Sequence, residues 1–366
     1  MVEVSTPGDG PPALARIFLT IPGTRLAYDL GNANRIEHPP AHAAACTVIQ
    51  HSPVTKTVDT VTMTRRDFLA LTMAVPLTRF VPLNLVGPAK PLRFAVLTDL
   101  HHGLAPDAMM RLQAFVEAVK RRPDVDLVVQ MGDFCYSQPE SQECIDLFNT
   151  LPHPKIHVLG NHDMDKCDKE SAVKFFGMPS RHYSRVVGGY RFVVLDLNHF
   201  KKGGQLHSYA KGNYFTDNAT HNWIDAPQLG WLAKELHSSR EPVILLSHQP
   251  LGFAEPGRPL PPEQMEVLQV VKSFGPVAIS MFGHLHVDRL EHHDGMPFLC
   301  VNSASYFWYE AMQPYSKPLF AFMEIGTDGV LKIEGVAGEF VREPPKGSAS
   351  VIGRSASISD RLIRTR

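Results

Sequence analysis

The stretch Phe94-Ala95-Val96-Leu97-Thr98-Asp99-Leu100-His101-His102-Gly103 decides how the chain is read. Four apolar residues followed by turn formers predict a short strand buried on both faces. The strand stops in an aspartate and two histidines, side chains that bind metals, and then in a glycine. Working outward, the arrangement recurs. Residues 127–129 run into Gly132-Asp133, residues 156–159 into Gly160-Asn161-His162-Asp163, and residues 243–246 into Ser247-His248. Residues 277–282 run into Gly283-His284-Leu285-His286, and residues 192–195 end at Asp196. Asp or Asn after a single strand is ordinary turn chemistry. Five of six strands ending in Asp, Asn or His of metal-binding type is not. The glycines before Asp133, Asn161 and His284 let the backbone turn tightly and bring each side chain inward.

Helical patterns fill the gaps. Asp107 is placed to cap a helix through Arg121, with Met109, Leu112, Phe115, Val116 and Val119 at helical spacing. Residues 228–236 and 263–274 read the same way. Strand alternating with helix predicts an α/β domain whose mainly parallel sheet is covered on both faces. In such sheets ligands bind beyond the carboxyl ends of the strands, where these side chains stand.

The patterned region, residues 91–341, has the size of one α/β domain. The chain has 366 residues, a formal net charge of -1, 44% hydrophobic and 20% charged residues. Such a balance provides a core and no bulk field to draw the protein to nucleic acid, so no nucleic-acid partner is expected. Its five cysteines show no CxxC pairing and no disulfide framework. Residues 1–62 are rich in Gly, Pro, Ala and Thr and read as a structureless leader or an extension upstream of a true start at Met63. Met63-Thr-Arg-Arg-Asp-Phe-Leu and the apolar run after it resemble a twin-arginine export signal within residues 63–90, which predicts export to a periplasm. That run is too short for a stable membrane span, which needs about 20 apolar residues. Residues 342–366 read as a basic flexible tail.

Taken in order, Asp99-x-His101, Gly132-Asp133, Gly160-Asn161-His162-Asp163, His248 and Gly283-His284-x-His286 resemble the signature blocks of the calcineurin-like metallophosphoesterases. The resemblance implies a four-layer αββα sandwich of two mixed β-sheets. It implies that Asp99, His101 and His286 hold one metal, that Asn161, His248 and His284 hold a second, and that Asp133 bridges them. It implies that His162 is the non-ligand histidine that protonates or stabilises the leaving oxygen. The chemistry suits those residue types. Two metals close together can clamp the attacking and leaving oxygens of a displacement at phosphorus, and metal-bound water acidifies toward neutral pH. Mixed nitrogen and oxygen donors suit Mn, Fe or Zn better than Ca or Mg. His102, Asp163 and Asp196 are candidates to orient the ligand histidines.

Gly132-Asp133-Phe134-Cys135-Tyr136 also resembles the block of purple acid phosphatases in which the tyrosine binds iron. Both His101 and Tyr136 are present, and His101 is the expected ligand. The Asp-Arg-Gly of protein phosphatases is absent after Gly132-Asp133, which favours a small phosphodiester or nucleotide-type substrate over a phosphoprotein. Substrate choice is expected in two long connections, residues 201–227 with Tyr209, Tyr214 and Trp223, and residues 251–262.

Overall fold

A computed structural model describes residues 88–253, 260–275, 277–344 and 356–365, together with the backbone of five strands within the first 63 residues. Its chain divides into two units, Met1–Leu83 and Asn84–Arg366. In the first, β1 (Val2–Ser5), β2 (Arg16–Ile21), β3 (Thr24–Asp29), β4 (Ala44–Ile49) and β5 (Thr60–Met63) pair in sequence order as an antiparallel sheet. This differs from the structureless leader that composition predicts. Short β-branched and apolar runs are separated by turn formers such as Pro22-Gly23, a hairpin pattern that overall composition hides. The twin-arginine-like segment falls, between residues 64 and 87, outside the described residues.

The second unit carries β6 (Leu92–Leu97), β7 (Leu127–Gln130), β8 (Lys155–His157), β9 (Tyr183–Val187), β10 (Tyr190–Val194), β11 (His199–Lys202), β12 (Gln205–Ser208) and β13 (Thr220–His221). These are followed by β14 (Val243–Leu246), β15 (Val277–Phe282), β16 (Arg289–His293), β17 (Met296–Cys300), β18 (Tyr306–Tyr309) and β19 (Ala311–Pro314). The last three are β20 (Ala321–Ile325), β21 (Val330–Gly335) and β22 (Arg361–Arg364). Two six-stranded mixed sheets result, in the orders β22-β21-β20-β6-β7-β8 and β16-β17-β15-β14-β10-β9. The six runs singled out in the sequence are β6, β7 and β8, parallel to one another, and β10, β14 and β15, parallel to one another.

Alternation along β6 shows how the layers form. Phe94 and Val96 join the core shared with the other sheet, where the Phe94 ring meets that of Phe192 edge-on at 5.8 Å. Ala95 and Leu97 turn to the opposite face and pack with Leu112, Phe115 and Val116 of helix Ala108–Lys120 and Phe148 of helix Gln142–Asn149. Helices Ala226–Ser238 and Pro262–Phe274 supply Leu232, Leu236, Val267 and Val271 to the core on the other sheet. The result is the mixed-sheet sandwich with helices outside. Asp107 stands at the start of its helix, but its carboxylate accepts from Arg111 Nε (2.8 Å) and Nη2 (2.7 Å) instead of capping.

Two segments differ from the sequence reading. Residues 201–227 carry β12 and β13, which pair with β11 at the start of the segment, rather than a plain loop. The tail is not loose throughout: β22 pairs antiparallel with β21, and Ile358 and Ile363 are buried in the inter-sheet core. Basic neighbours mask this short apolar alternation in the sequence.

Candidate metal centre

All eight side chains expected at the site come from the carboxyl ends of β6, β7, β8, β14 and β15 or from the turns that follow them. The turns are sharp: Asp99, His101, Asp133, His284 and His286 all have left-handed backbone, with φ of 54°, 57°, 50°, 66° and 53°. Each such non-glycine residue costs about 1–2 kcal/mol, and the strain persists only where surrounding contacts impose it. Here Asp99 N–H donates to the Gly132 carbonyl (3.0 Å) and His101 N–H to the Asp133 carbonyl (2.8 Å), while Ser303 Oγ donates to the Asp99 carbonyl (3.0 Å).

Each carboxylate has one oxygen anchored and the other directed at histidine nitrogens. Asp99 Oδ2 accepts from Thr98 Oγ1 (2.6 Å) and His284 N (3.1 Å). Its Oδ1 lies 3.1 Å from His286 Nε2 and 3.7 Å from His101 Nε2. Asp133 Oδ1 accepts from His162 N (2.8 Å), leaving Oδ2 3.0 Å from His248 Nε2 and 3.9 Å from His101 Nε2. His284 Nδ1 is 3.3 Å from His248 Nε2, and His101 Nε2 is 3.1 Å from His286 Nε2. Candidate ligand atoms therefore gather as Asp99, His101 and His286 on one side and Asp133, His248 and His284 on the other. His101, Asp133 and His162 form a third overlapping group that joins the two.

The donor set fits metal ions. Asn161 is buried, and neither its amide oxygen nor its nitrogen has a hydrogen-bond partner in the chain, a costly arrangement unless a ligand satisfies it. Burial, reinforced by His286, holds the His101 imidazole down at about 3 against the pull of Asp133 and Asp99. Burial and His248 likewise hold His284 at about 3. Burial would raise both carboxyls, but His286 and His248 around Asp99, and His248 and His162 around Asp133, hold them well below the usual range. Neutral imidazoles and ionised carboxylates are the forms that bind metals. For His248, burial is outweighed by Asp133 and Asp99, which raise it to about 9.

His162, whose ring reaches His101 and Asp133, has one nitrogen already engaged outside the cluster. Its Nδ1 donates to Asp165 Oδ2 (2.7 Å). Burial opposes its charge, but Asp133 and Asp165 outweigh burial and raise it to about 9. A cation at the centre would neutralise Asp133 and leave Asp165 as the partner that orients the ring.

The supporting residues differ from those expected. Asp163 touches no ligand histidine; its carboxylate accepts from the backbone N–H of Gly160 (2.8 Å), Asp133 (3.1 Å), Phe134 (2.8 Å) and Cys135 (3.2 Å). It thus ties the Asp133 and Asn161 turns together. Asp196 pairs with Lys169 (2.7 Å) and Arg181 (2.9 Å), and His102 Nδ1 lies 3.1 Å from Ser141 Oγ. The groups that do orient histidines were missed. His248 Nδ1 donates to the Met131 carbonyl (2.9 Å), and Tyr214 Oη is 3.2 Å from His284 Nε2. The Tyr306 ring lies 4.9 Å from that of His101 and 4.8 Å from that of His286. A backbone carbonyl leaves no mark in sequence, and a tyrosine 70 residues from its partner, as Tyr214 is from His284, carries no local signal. Tyr136 lies against Gly103 with Lys166 Nζ 5.4 Å from its ring centre, while His101 occupies the cluster.

Residues 92–288, more than half of the chain, match the family model of the calcineurin-like phosphoesterases, and the chain belongs to that metal-dependent family. Among solved structures it is similar to a dimetal phosphatase from Danio rerio, 17% identical with a TM-score of 0.50, covering 68% of this chain and 98% of that one. It is also similar to GAP50, the anchor in the inner membrane complex of Plasmodium, 16% identical with a TM-score of 0.51, covering 76% of this chain and 90% of that one. At these identities the likeness speaks for the fold. No curated protein matches the chain. Among the described residues, no helix is long and apolar enough to cross a membrane.

Proposed function

We propose that this metal-dependent phosphoesterase uses two transition metal ions, Mn, Fe or Zn, to hydrolyse small phosphodiesters or nucleotide-type esters. The observation that carries this reading is the Asp133 carboxylate, placed between two sets of histidine nitrogens beside an Asn161 amide that lacks any partner. Asp99, His101 and His286 would hold one ion, Asn161, His248 and His284 the other, and Asp133 both. Bound there, the ions supply positive charge for the phosphoryl oxygens and acidify water. The chain's own part is to hold the His101 and His284 imidazoles neutral and the Asp99 and Asp133 carboxylates ionised, and to present a proton; His248 would give up its own proton when an ion binds. Asp165 fixes the His162 ring, so that Nε2 is the nitrogen free to protonate a leaving oxygen. The GAP50 structure is named as an anchor, which keeps a scaffold role in view. The gathered donors and the oriented His162 favour catalysis.

The test loads the full chain in turn with Mn, Fe and Zn and assays phosphodiester and phosphomonoester hydrolysis. Asp133→Asn is expected to abolish turnover and lower the bound metal below two per chain. His162→Ala is expected to slow esters with poor leaving groups by about 10²–10⁴-fold in kcat and to spare metal content. Folded, metal-filled protein with no turnover would move the reading to the scaffold.

A further inference from the structure

Among the described residues, four exposed large apolar side chains, Phe215, Leu285, Trp308 and Met312, stand at or beside the rim of the centre. Phe215 is 72% exposed and its ring lies 5.9 Å from that of His162. Trp308 is 59% exposed and lies 6.3 Å from Tyr306, whose ring packs on His101 and His286. Phe215, His162, His101, Tyr306 and Trp308 thus form one run of neighbouring rings, with His101 in the middle and a solvated aromatic at each end. Leu285, between the two histidines of its turn, is 38% exposed, and Met312, across the β18-β19 hairpin from Trp308, is 41% exposed. One exposed aromatic on a surface is ordinary. Apolar side chains gathered around a polar centre mark a surface that a ligand covers.

What covers it follows from continuity with the centre. If His162 reaches the leaving oxygen, the group attached to that oxygen extends toward Phe215, the ring beside His162. The group that stays on phosphorus extends the other way, past His101 toward Tyr306 and Trp308. We propose that the substrate is a phosphodiester bearing planar aromatic groups, the leaving one stacking on Phe215 and the retained one on Trp308. This rests on the phosphoesterase reading above. Phe215 and Trp308 are themselves uncharged rings, so each would select by stacking; such a contact is sequence- and substituent-tolerant and strong enough to set preference.

The experiment uses the full, metal-loaded chain and two esters with the same leaving group, bis(p-nitrophenyl) phosphate and methyl p-nitrophenyl phosphate. Phe215→Ala is expected to lower kcat/KM by roughly tenfold for both, the scale of one stacking contact. Trp308→Ala is expected to lower the bis-aryl ester roughly tenfold more than the methyl ester. Because each comparison is variant against wild type on one substrate, intrinsic reactivity cancels. A second readout is independent of turnover. Calorimetric binding of diphenylphosphinate, which cannot be hydrolysed, is expected to weaken in both variants relative to dimethylphosphinate. Equal losses on both esters in Trp308→Ala, or unchanged phosphinate binding in both variants, would overturn the proposal. Absence of hydrolysis by wild type would overturn the phosphoesterase reading instead, and the phosphinate comparison would still decide the stacking. Both side chains are largely solvated, so folding is expected to survive, checked by thermal melting.

Discussion

Gly160 shows how narrowly single residues define the centre. A Cβ built there would collide with Asp133 Oδ1 and with the Asp133 backbone nitrogen. Gly132, at φ 98°, is equally confined, since a Cβ there would approach His248 Nδ1 to 2.5 Å. Gly160→Ala is therefore expected to displace the Asp133 carboxylate by a large fraction of an ångström. Misplacement on that scale costs about a hundredfold in rate, and loss of bound metal should accompany it. Metal analysis of the purified variant together with kcat checks this; wild-type values for both would show that the turn relaxes freely. These glycines were legible in the sequence because Gly before Asp133, Asn161 and His284 recurs at successive strand ends, where a single instance would be ordinary turn chemistry. The orienting partners were not. Met131 contributes a carbonyl, Tyr214 lies in a connection of mixed character, and Asp163 proved to bind four backbone amides rather than a histidine.

At the scale of elements, the six central strands could be read because buried parallel strands are continuous apolar runs that need no partner information. Edge elements could not. β22 consists of Arg361-Leu362-Ile363-Arg364, in which Ile363 is the one buried apolar side chain and Leu362 and Arg364 are exposed, so composition reads it as tail. Yet this strand completes the first sheet and reaches the metal-bearing turn. Asp288 Oδ2, two residues beyond His286, accepts from Ser359 N (2.9 Å) and is ion-paired with Arg361. The Asp288 side chain is 2% exposed, so loss of Arg361 would leave a buried carboxylate short of its countercharge. Arg361→Ala is expected to destabilise the domain by about 3 kcal/mol, within the 3–5 kcal/mol typical of breaking a buried pair from one side. Denaturant unfolding checks the magnitude, and Arg361→Lys should recover part of it. A change within about 0.5 kcal/mol would mean that the strand only decorates the edge.

For the whole molecule, the same division between local and distant signals governs stability. The sequence marks Asp196 as a strand-terminating acid like the metal ligands, but the fold places it in an ionic network away from them. Its carboxylate is fully buried against Lys169 and Arg181, and Arg181 also pairs with Asp225 (2.6 Å). Burial would raise the Asp196 carboxyl, but Lys169, His199 and Arg181 outweigh it and hold it well below the usual carboxylate range. A carboxyl depressed in the folded state stabilises the protein above its unfolded value, near 3.9. That stabilisation begins to fall as pH drops toward the unfolded value, where the unfolded chain takes up the proton, and is fully lost only once pH passes below the depressed folded value. Protonating Asp196 there removes the countercharge of the buried Lys169. Wild type is therefore expected to lose stability progressively below about pH 4. Asp196→Asn should be less stable at pH 7 by about 3–5 kcal/mol, because Lys169 has lost its partner at every pH. Its acid limb should be shallower. Denaturant midpoints at about pH 7, 4 and 2.5 for both proteins would decide, and parallel curves would show that other carboxylates carry the acid sensitivity.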